Sequence, residues 1–230
     1  MLFRSDYLVK KSPWIIGGDG WAYDIGYGGL DHVLAQGKDI NVLVLDTEVY
    51  SNTGGQSSKS TPRGAVAKFA HSGKKMMKKD MALIAMTYGY VYVAKVALGA
   101  NERQCVQAFL EAESYPGPSI IIAYSPCIAH GFELNEHYAH EKMVVEAGHF
   151  PLLRYDPRKR DANENPLTLD SKQPSLAYKD WALSEVRFKT LTKSYPQEAE
   201  RLLALGQEDC DYRWNTYKQM AEMRFGKAQA

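Results

Sequence analysis

Short apolar runs alternate with polar, glycine-bearing turns through the first 150 residues. Trp14-Ile15-Ile16-Gly17 and Ile40-Asn41-Val42-Leu43-Val44-Leu45-Asp46 read as strands, the second nearly continuous in apolar character, as parallel strands are. Met81-Ala82-Leu83-Ile84-Ala85-Met86 reads as a third strand and Pro118-Ser119-Ile120-Ile121-Ile122-Ala123-Tyr124 as a fourth. Helical stretches fall between them. One runs from Asp24 to Gln36, with Gly37 placed to cap its end. Another starts at Asn101 as its cap and continues to about Ser114, with Val106, Phe109 and Leu110 on one face. This alternation predicts a doubly wound α/β fold with a mostly parallel sheet, in which ligands bind beyond the carboxyl ends of the strands.

The pattern changes after about residue 150. Arg154-Tyr155-Asp156-Pro157 and Asn163-Glu164-Asn165-Pro166 are turn-rich, and from about Pro174 the chain is charged and helical. Ser194 with Gln197 resembles a capping box, with Pro196 in the first helical turn. The expected division is an α/β domain over 1–157 and a turn-rich segment with a helical C-terminal extension over 158–230, packed on the α/β body or on a neighbour.

Composition narrows the function classes. A formal net charge of +1 gives no global field toward nucleic acid or an anionic membrane. No apolar run approaches the roughly 20 residues that span a bilayer. Residues 1–6 lack the apolar core of a secretory signal. The three cysteines, Cys105, Cys127 and Cys210, contain no C-x-x-C and form no disulfide framework. They fit a reducing compartment, so the expected location is cytoplasmic. Three thiols also fall short of the four that normally hold a four-iron cluster.

The candidate chemistry lies in two turns. Gly17-Gly18-Asp19-Gly20 follows the first strand, and Thr47-Glu48-Val49 follows the second. The glycines allow close backbone approach to a phosphate, and the following helix points its N-terminal amides at the same place. A carboxylate there repels a bare diphosphate, and a divalent cation removes the conflict. Asp19, the Thr47 hydroxyl and the Val49 carbonyl are oxygen donors of the kind magnesium takes. Gly-Asp-Gly alone equally fits a plain glycine turn with an exposed aspartate. The turn-rich stretch from Thr47 to Pro62 is long enough to suggest a functional loop.

The wider text is more specific. Gly18-Asp19-Gly20-Trp21-Ala22-Tyr23-Asp24-Ile25-Gly26-Tyr27-Gly28-Gly29-Leu30-Asp31, with Asp46-Thr47-Glu48-Val49-Tyr50-Ser51-Asn52-Thr53-Gly54-Gly55-Gln56, closely resembles the pyruvate:ferredoxin (flavodoxin) oxidoreductases. The resemblance runs from about Tyr7 to beyond Pro157. It implies the C-terminal thiamine diphosphate-binding region of a longer polypeptide, which takes pyruvate and coenzyme A to acetyl-CoA and carbon dioxide. Electrons then pass through iron–sulfur clusters to ferredoxin or flavodoxin. It implies that Asp19, Thr47 and the Val49 carbonyl hold magnesium, that Gly18, Gly20 and Trp21 contact the diphosphate, and that Asn52 places an amide near the reacting thiazolium. Thiamine enzymes generally have asparagine at the Thr47 position, and threonine resembles this family's own variant. Cys127, in Ser125-Pro126-Cys127-Ile128-Ala129-His130-Gly131, matches one of four ligands of a [4Fe–4S] cluster whose other ligands lie outside this chain. The resemblance also implies a homodimer when the polypeptide is complete.

The activating glutamate of thiamine enzymes has no counterpart here, and Glu48 is a poor candidate. The isolated chain is therefore expected to bind cofactor weakly and not to turn over pyruvate. Met1, so close to the start of the resemblance, suggests truncation. Cys105 and Cys210 read as structural, and His130 as filling a turn. His137 and His140 read as a solvated helix face. Lys74, Lys75, Lys78 and Lys79 read as a solvated basic face, with a docking patch for an acidic ferredoxin or flavodoxin as the sharper reading. Two alternatives stay open: an iron-free thiamine enzyme, such as a decarboxylase or transketolase-like protein, and a non-catalytic fragment that keeps the fold.

Overall fold

A computed structural model describes residues 11–225. Six strands form one sheet: β1 (Trp14–Gly18), β2 (Asn41–Asp46), β3 (Tyr92–Val96), β4 (Ser119–Tyr124), β5 (Leu153–Tyr155) and β6 (Leu167–Leu169). Their spatial order is β1-β2-β4-β3-β5-β6. The first four are mutually parallel, and β5 and β6 continue the sheet antiparallel. Among the described residues seven α-helices surround it: α1 (Tyr27–Ala35), α2 (Met81–Met86), α3 (Glu102–Ser114), α4 (His137–Glu146), α5 (Tyr178–Ala182), α6 (Val186–Ser194) and α7 (Pro196–Glu222).

The two-residue period of the strands divides the core between the sheet's faces. Ile121 of β4 packs with Tyr92 and Ala94 of β3 beneath Cys105, Ala108 and Ala112 of α3. Ile120 and Ile122 face the other way, with Val42, Val44 and Val93. Each of the three isoleucines is fully buried, contributing about 2 kcal/mol of hydrophobic stabilisation. The second face is the larger core. It takes Leu30 and Leu34 of α1, Met81 and Ala85 of α2 and Val144 of α4, together with Tyr178, Trp181, Phe188, Leu203 and Tyr217 from beyond residue 157. The C-terminal segment therefore shares one core with the α/β body.

Several local expectations are corrected. Met81–Met86 is a helix. Asp80 caps it, its carboxylate accepting from the Leu83 amide at 3.2 Å, and the neighbouring strand is instead Tyr92–Val96. Asn101 does cap α3, accepting from Gln104 N at 3.0 Å. Val106 and Leu110 nevertheless face outward, because the small residues Cys105, Ala108 and Ala112 let α3 approach the sheet closely. Ser194 and Gln197 form no capping box. Tyr195 is the cap of α7, without a side-chain cap bond, and Pro196 opens the first turn. Helical structure begins before Asp24, as a π-helical turn over Gly20–Ile25 that joins α1 through Gly26.

Candidate functional site

Strand register brings the polar turns together. Gly18 of β1 pairs with Leu45 of β2, and Asp46 of β2 pairs with Tyr124 of β4. Asp19, Thr47 and Ser125-Pro126-Cys127 therefore leave the sheet at one edge. Gly18, Asp19, Gly20, Trp21, Thr47, Val49 and Asn52 all line one cavity of about 370 Å³, with Ile25, Tyr50 and Ser51. Cys127 stands beside it, its sulfur 3.0 Å from Ser51 Oγ.

Asp19 is only 1% exposed, which removes the reading of a plain turn with a solvated aspartate. The Thr47 hydroxyl reaches Asp19 Oδ1 at 2.7 Å and the Val49 carbonyl at 2.9 Å. One hydroxyl proton cannot serve both. The other carboxylate oxygen, Asp19 Oδ2, accepts from Ser58 Oγ at 2.5 Å, which fixes the plane of the group. Burial, with Asp46 nearby, pushes the Asp19 carboxyl up to about 6, against the lowering effect of the Ser58 and Thr47 hydroxyls. A divalent cation would hold it ionised. Two ligands at right angles on magnesium, each at its usual distance from the ion, lie about 2.9 Å apart. The Thr47 hydroxyl stands at about that spacing from both other oxygens, and all three are hard donors, so they fit the ion.

The glycines here have separate duties. A Cβ on Gly17 would meet the Trp21 ring at 2.3 Å, and one on Gly20 the Tyr50 ring at 2.5 Å, whereas one on Gly18 would meet nothing. Gly17 and Gly20 thus seat the aromatic walls, and Gly18 leaves open the face toward the cavity.

Behind the turn lies a buried charge network that sequence reasoning missed. Glu48 is fully buried in a left-handed backbone conformation, φ +56°. Its carboxylate accepts from Arg187 Nη2 at 2.7 Å, His149 Nε2 at 2.8 Å and Lys78 Nζ at 3.1 Å. Burial opposes its ionisation, yet Lys78, His149 and Arg187 hold the carboxyl well below its usual range. Glu48 is therefore committed to this network. Arg187 Nε also donates to Glu185 at 2.5 Å, and Glu185 accepts from His140 Nε2 at 2.7 Å. His130 lies 3.4 Å from Glu185 through Nδ1, while its Nε2 donates to the Thr47 carbonyl at 2.8 Å. His140 is thus buried and not on a solvated face, and His130 does more than fill its turn. His130, His140 and Glu185 bring three ligand atoms within 4.8 Å of one another. That carboxylate already carries the Arg187 guanidinium, so the cluster reads as a hydrogen-bonded network.

The basic cluster also changes character. Lys78 is buried between Asp46 at 2.7 Å and Glu48. Lys74 donates to the carbonyls of Ser58 and Thr61, and burial lowers its ammonium to about 8. Lys79 lies over the Tyr27 ring. Only Lys75 of the four is exposed, paired with Glu198, so no basic docking face forms.

Comparison with known proteins decides the family. The profile described as "Thiamine pyrophosphate enzyme, C-terminal TPP binding domain" matches residues 7–123. The chain belongs to this thiamine pyrophosphate enzyme family. Over nearly its whole length this thiamine pyrophosphate domain is also similar to larger oxidoreductases. It is 57% identical over 219 residues to the pyruvate:ferredoxin oxidoreductase of Moorella thermoacetica, covering 95% of this chain and 19% of that protein. It is 58% identical over 217 residues to the pyruvate-flavodoxin oxidoreductase of Nostoc sp. (strain PCC 7120), covering 94% of this chain and 18% of that protein. The Klebsiella pneumoniae pyruvate-flavodoxin oxidoreductase is 52% identical over 218 residues, 94% of this chain and 19% of its own length. The chain thus spans about a fifth of the length of the curated relatives it matches. Among the described residues no helix is long and apolar enough to cross a membrane.

Proposed function

We propose that this chain is the thiamine diphosphate- and magnesium-holding part of an oxidoreductase that takes pyruvate and coenzyme A to acetyl-CoA and carbon dioxide and passes the electrons to ferredoxin or flavodoxin. The observation that carries the reading is the convergence of Asp19 Oδ1, Thr47 Oγ1 and the Val49 carbonyl in a cavity at the carboxyl edge of the sheet. The relatives' names support the pyruvate and acceptor assignments. In this reading Asp19, Thr47 and Val49 hold the magnesium ion. Gly18 and Gly20 bring backbone to the diphosphate, Trp21 walls it, and Asn52 presents its amide at the outer rim toward the reacting ring. Ser58 keeps the Asp19 carboxylate turned toward the ion.

Thiamine diphosphate, when bound, supplies the nucleophilic carbon and the electron sink for 2-oxoacid decarboxylation. The chain's own residues anchor and orient it. Tyr50 and Trp21 line one side of the cavity with aromatic surface. Cys127, half-buried beside Ser51, offers one thiolate to a [4Fe–4S] cluster whose other ligands come from the rest of the polypeptide. Its unpaired state, with that of Cys105 and Cys210, supports a reducing, cytoplasmic setting. Residues 1–157 are the cofactor-binding domain and 158–230 its brace, within a homodimer of the complete enzyme.

Isothermal titration of the chain with thiamine diphosphate and magnesium tests this. Binding is expected only with both present, and Asp19→Ala should weaken it at least tenfold, the loss of one charged ligand. A folded chain that shows no magnesium-dependent binding at millimolar cofactor would overturn the reading.

A further inference from the structure

Thr47 and Val49 flank a residue whose backbone is in an unfavourable conformation. Left-handed φ at a non-glycine residue is unfavourable and persists only where its surroundings over-determine it. The surroundings of Glu48 do so from three directions. Thr61 Oγ1 donates to its carbonyl at 2.6 Å. Its carboxylate is gripped by Lys78, His149 and Arg187. The carbonyl of the preceding residue, Thr47, is held by His130.

Two of these holds lead to one place. Arg187 grips Glu48 directly, and Glu185 binds His140 and faces His130. Glu185 and Arg187 sit together at the start of α6, far along the chain from the turn, and join each other through Arg187 Nε. The planar guanidinium, only 4% exposed, spans both carboxylates at once, a task for which a lysine's single point charge is poorly shaped. Val66 N donates to the Arg187 carbonyl at 3.0 Å, tying the same residue to the loop that carries Ser58.

We propose that Arg187 and Glu185 are positioning residues for the metal turn: the Arg187 fork, braced by Glu185, and the His130 bond to the Thr47 carbonyl hold Thr47-Glu48-Val49 in the conformation that aims the Thr47 hydroxyl and the Val49 carbonyl at one point. This rests on the magnesium reading of those oxygens. Its consequence is that α6, outside the residues 7–123 matched by the family profile, governs metal affinity without touching the metal.

Manganese, a spin-active substitute for magnesium, gives the test. Electron paramagnetic resonance measures Mn2+ binding to the 230-residue chain in the presence of thiamine diphosphate, with Asp19→Ala as the floor. Hydrogen exchange of the peptide spanning 45–52 is read alongside, in the absence of metal. Arg187→Met should weaken Mn2+ at least tenfold and speed exchange of that peptide, and Arg187→Lys should recover part of both. Arg154→Met removes a comparable arginine, bonded to Glu111 and Asp170 at the far side of the sheet. It should lower the melting temperature without changing Mn2+ affinity. If Arg187→Met does not fold, the same comparison is made with Arg187→Lys and Glu185→Gln, each expected to weaken Mn2+ several-fold. Unchanged affinity and unchanged turn exchange in folded Arg187 or Glu185 variants overturn the inference alone. Absence of Mn2+ binding by the unsubstituted chain, with the turn still protected, overturns the magnesium reading and the inference with it.

Discussion

Cys127 and Cys210 show how burial sorts one residue type into different chemistries. Cys127 is half-buried at the cavity's edge, within reach of Ser51 Oγ and the Ala129 amide. Cys210 is enclosed in the large core, and burial pushes its thiol up to about 12. Burial also raises the Cys105 thiol beneath the sheet. Because the thiolate is the reactive form, a disulfide reagent added to native protein should label Cys127 first. Mass spectrometry should find Cys105 and Cys210 unlabelled until denaturant is added, and early labelling of Cys210 would contradict its enclosure. Asp19, Thr47 and Val49 were legible as oxygen donors because they stand in the turns just past two strand ends, Asp19 between glycines. Ser58 was not, because a stretch with several serines and threonines does not say which one turns toward Asp19. Glu48 was legible as a residue to set aside, but its three partners come from Lys78, His149 and Arg187, and no local pattern joins them.

At the level of elements, α2 shows what a capping residue decides. Six apolar residues carry no usable periodicity, so strand and helix compete, and Asp80 tips the balance by accepting from the Leu83 amide. The same carboxylate accepts from Tyr217 OH at 2.7 Å and lies 3.5 Å from Arg213 Nε of α7. Asp80→Ala should therefore cost more than the roughly 1 kcal/mol of a lost cap, because Arg213 is left buried without its counter-charge, which alone costs about 3 kcal/mol or more. Urea unfolding checks this, with Asp80→Asn expected to retain part of the loss. A cost near 1 kcal/mol would mean that Arg213 finds another partner. The neighbouring strand β3 was missed because Lys95 interrupts its apolar run. That lysine is nonetheless buried, over the Phe150 and Tyr217 rings. The strands β2 and β4 were legible because parallel pairing buries both faces, and β1, half-exposed at the sheet edge, by its short apolar run ending in glycine. The short β5 and β6 were not, because three-residue strands among turns leave no pattern to read.

Across the whole molecule, the α/β layering could be read from alternation, but the depth to which the C-terminal segment enters the core could not. Trp181, Tyr178 and Phe188 look like ordinary helix residues until the sheet's second face is seen to need them. Charge is buried there too, which makes stability depend on pH. Burial holds His149 neutral, lowering it from the usual 6.5 to about 4 despite the attraction of Glu48. Between those values the unfolded chain binds the proton that the folded chain refuses. Stability is therefore fully present above about pH 6.5 and is lost as pH falls toward 4, by about 3 kcal/mol in all from this one group. The raised Asp19 carboxyl works the other way over the same range, because there the folded chain takes up the proton first, so the check is a difference: as pH falls from 6.5 to 4, denaturant midpoints of His149→Gln should drop less, or rise more, than those of the unsubstituted chain.

His149 also lies flat against Trp181, with ring centroids 4.5 Å apart and planes 20° from parallel. A neutral imidazole at that distance leaves indole emission largely intact, whereas an imidazolium accepts an electron from the excited ring and darkens it. The chain therefore carries its own light meter, buried where the Glu48 network meets the core. A fall in tryptophan emission that precedes acid unfolding, and disappears in Trp181→Phe, would time the arrival of a proton at His149, behind the Thr47-Glu48-Val49 turn.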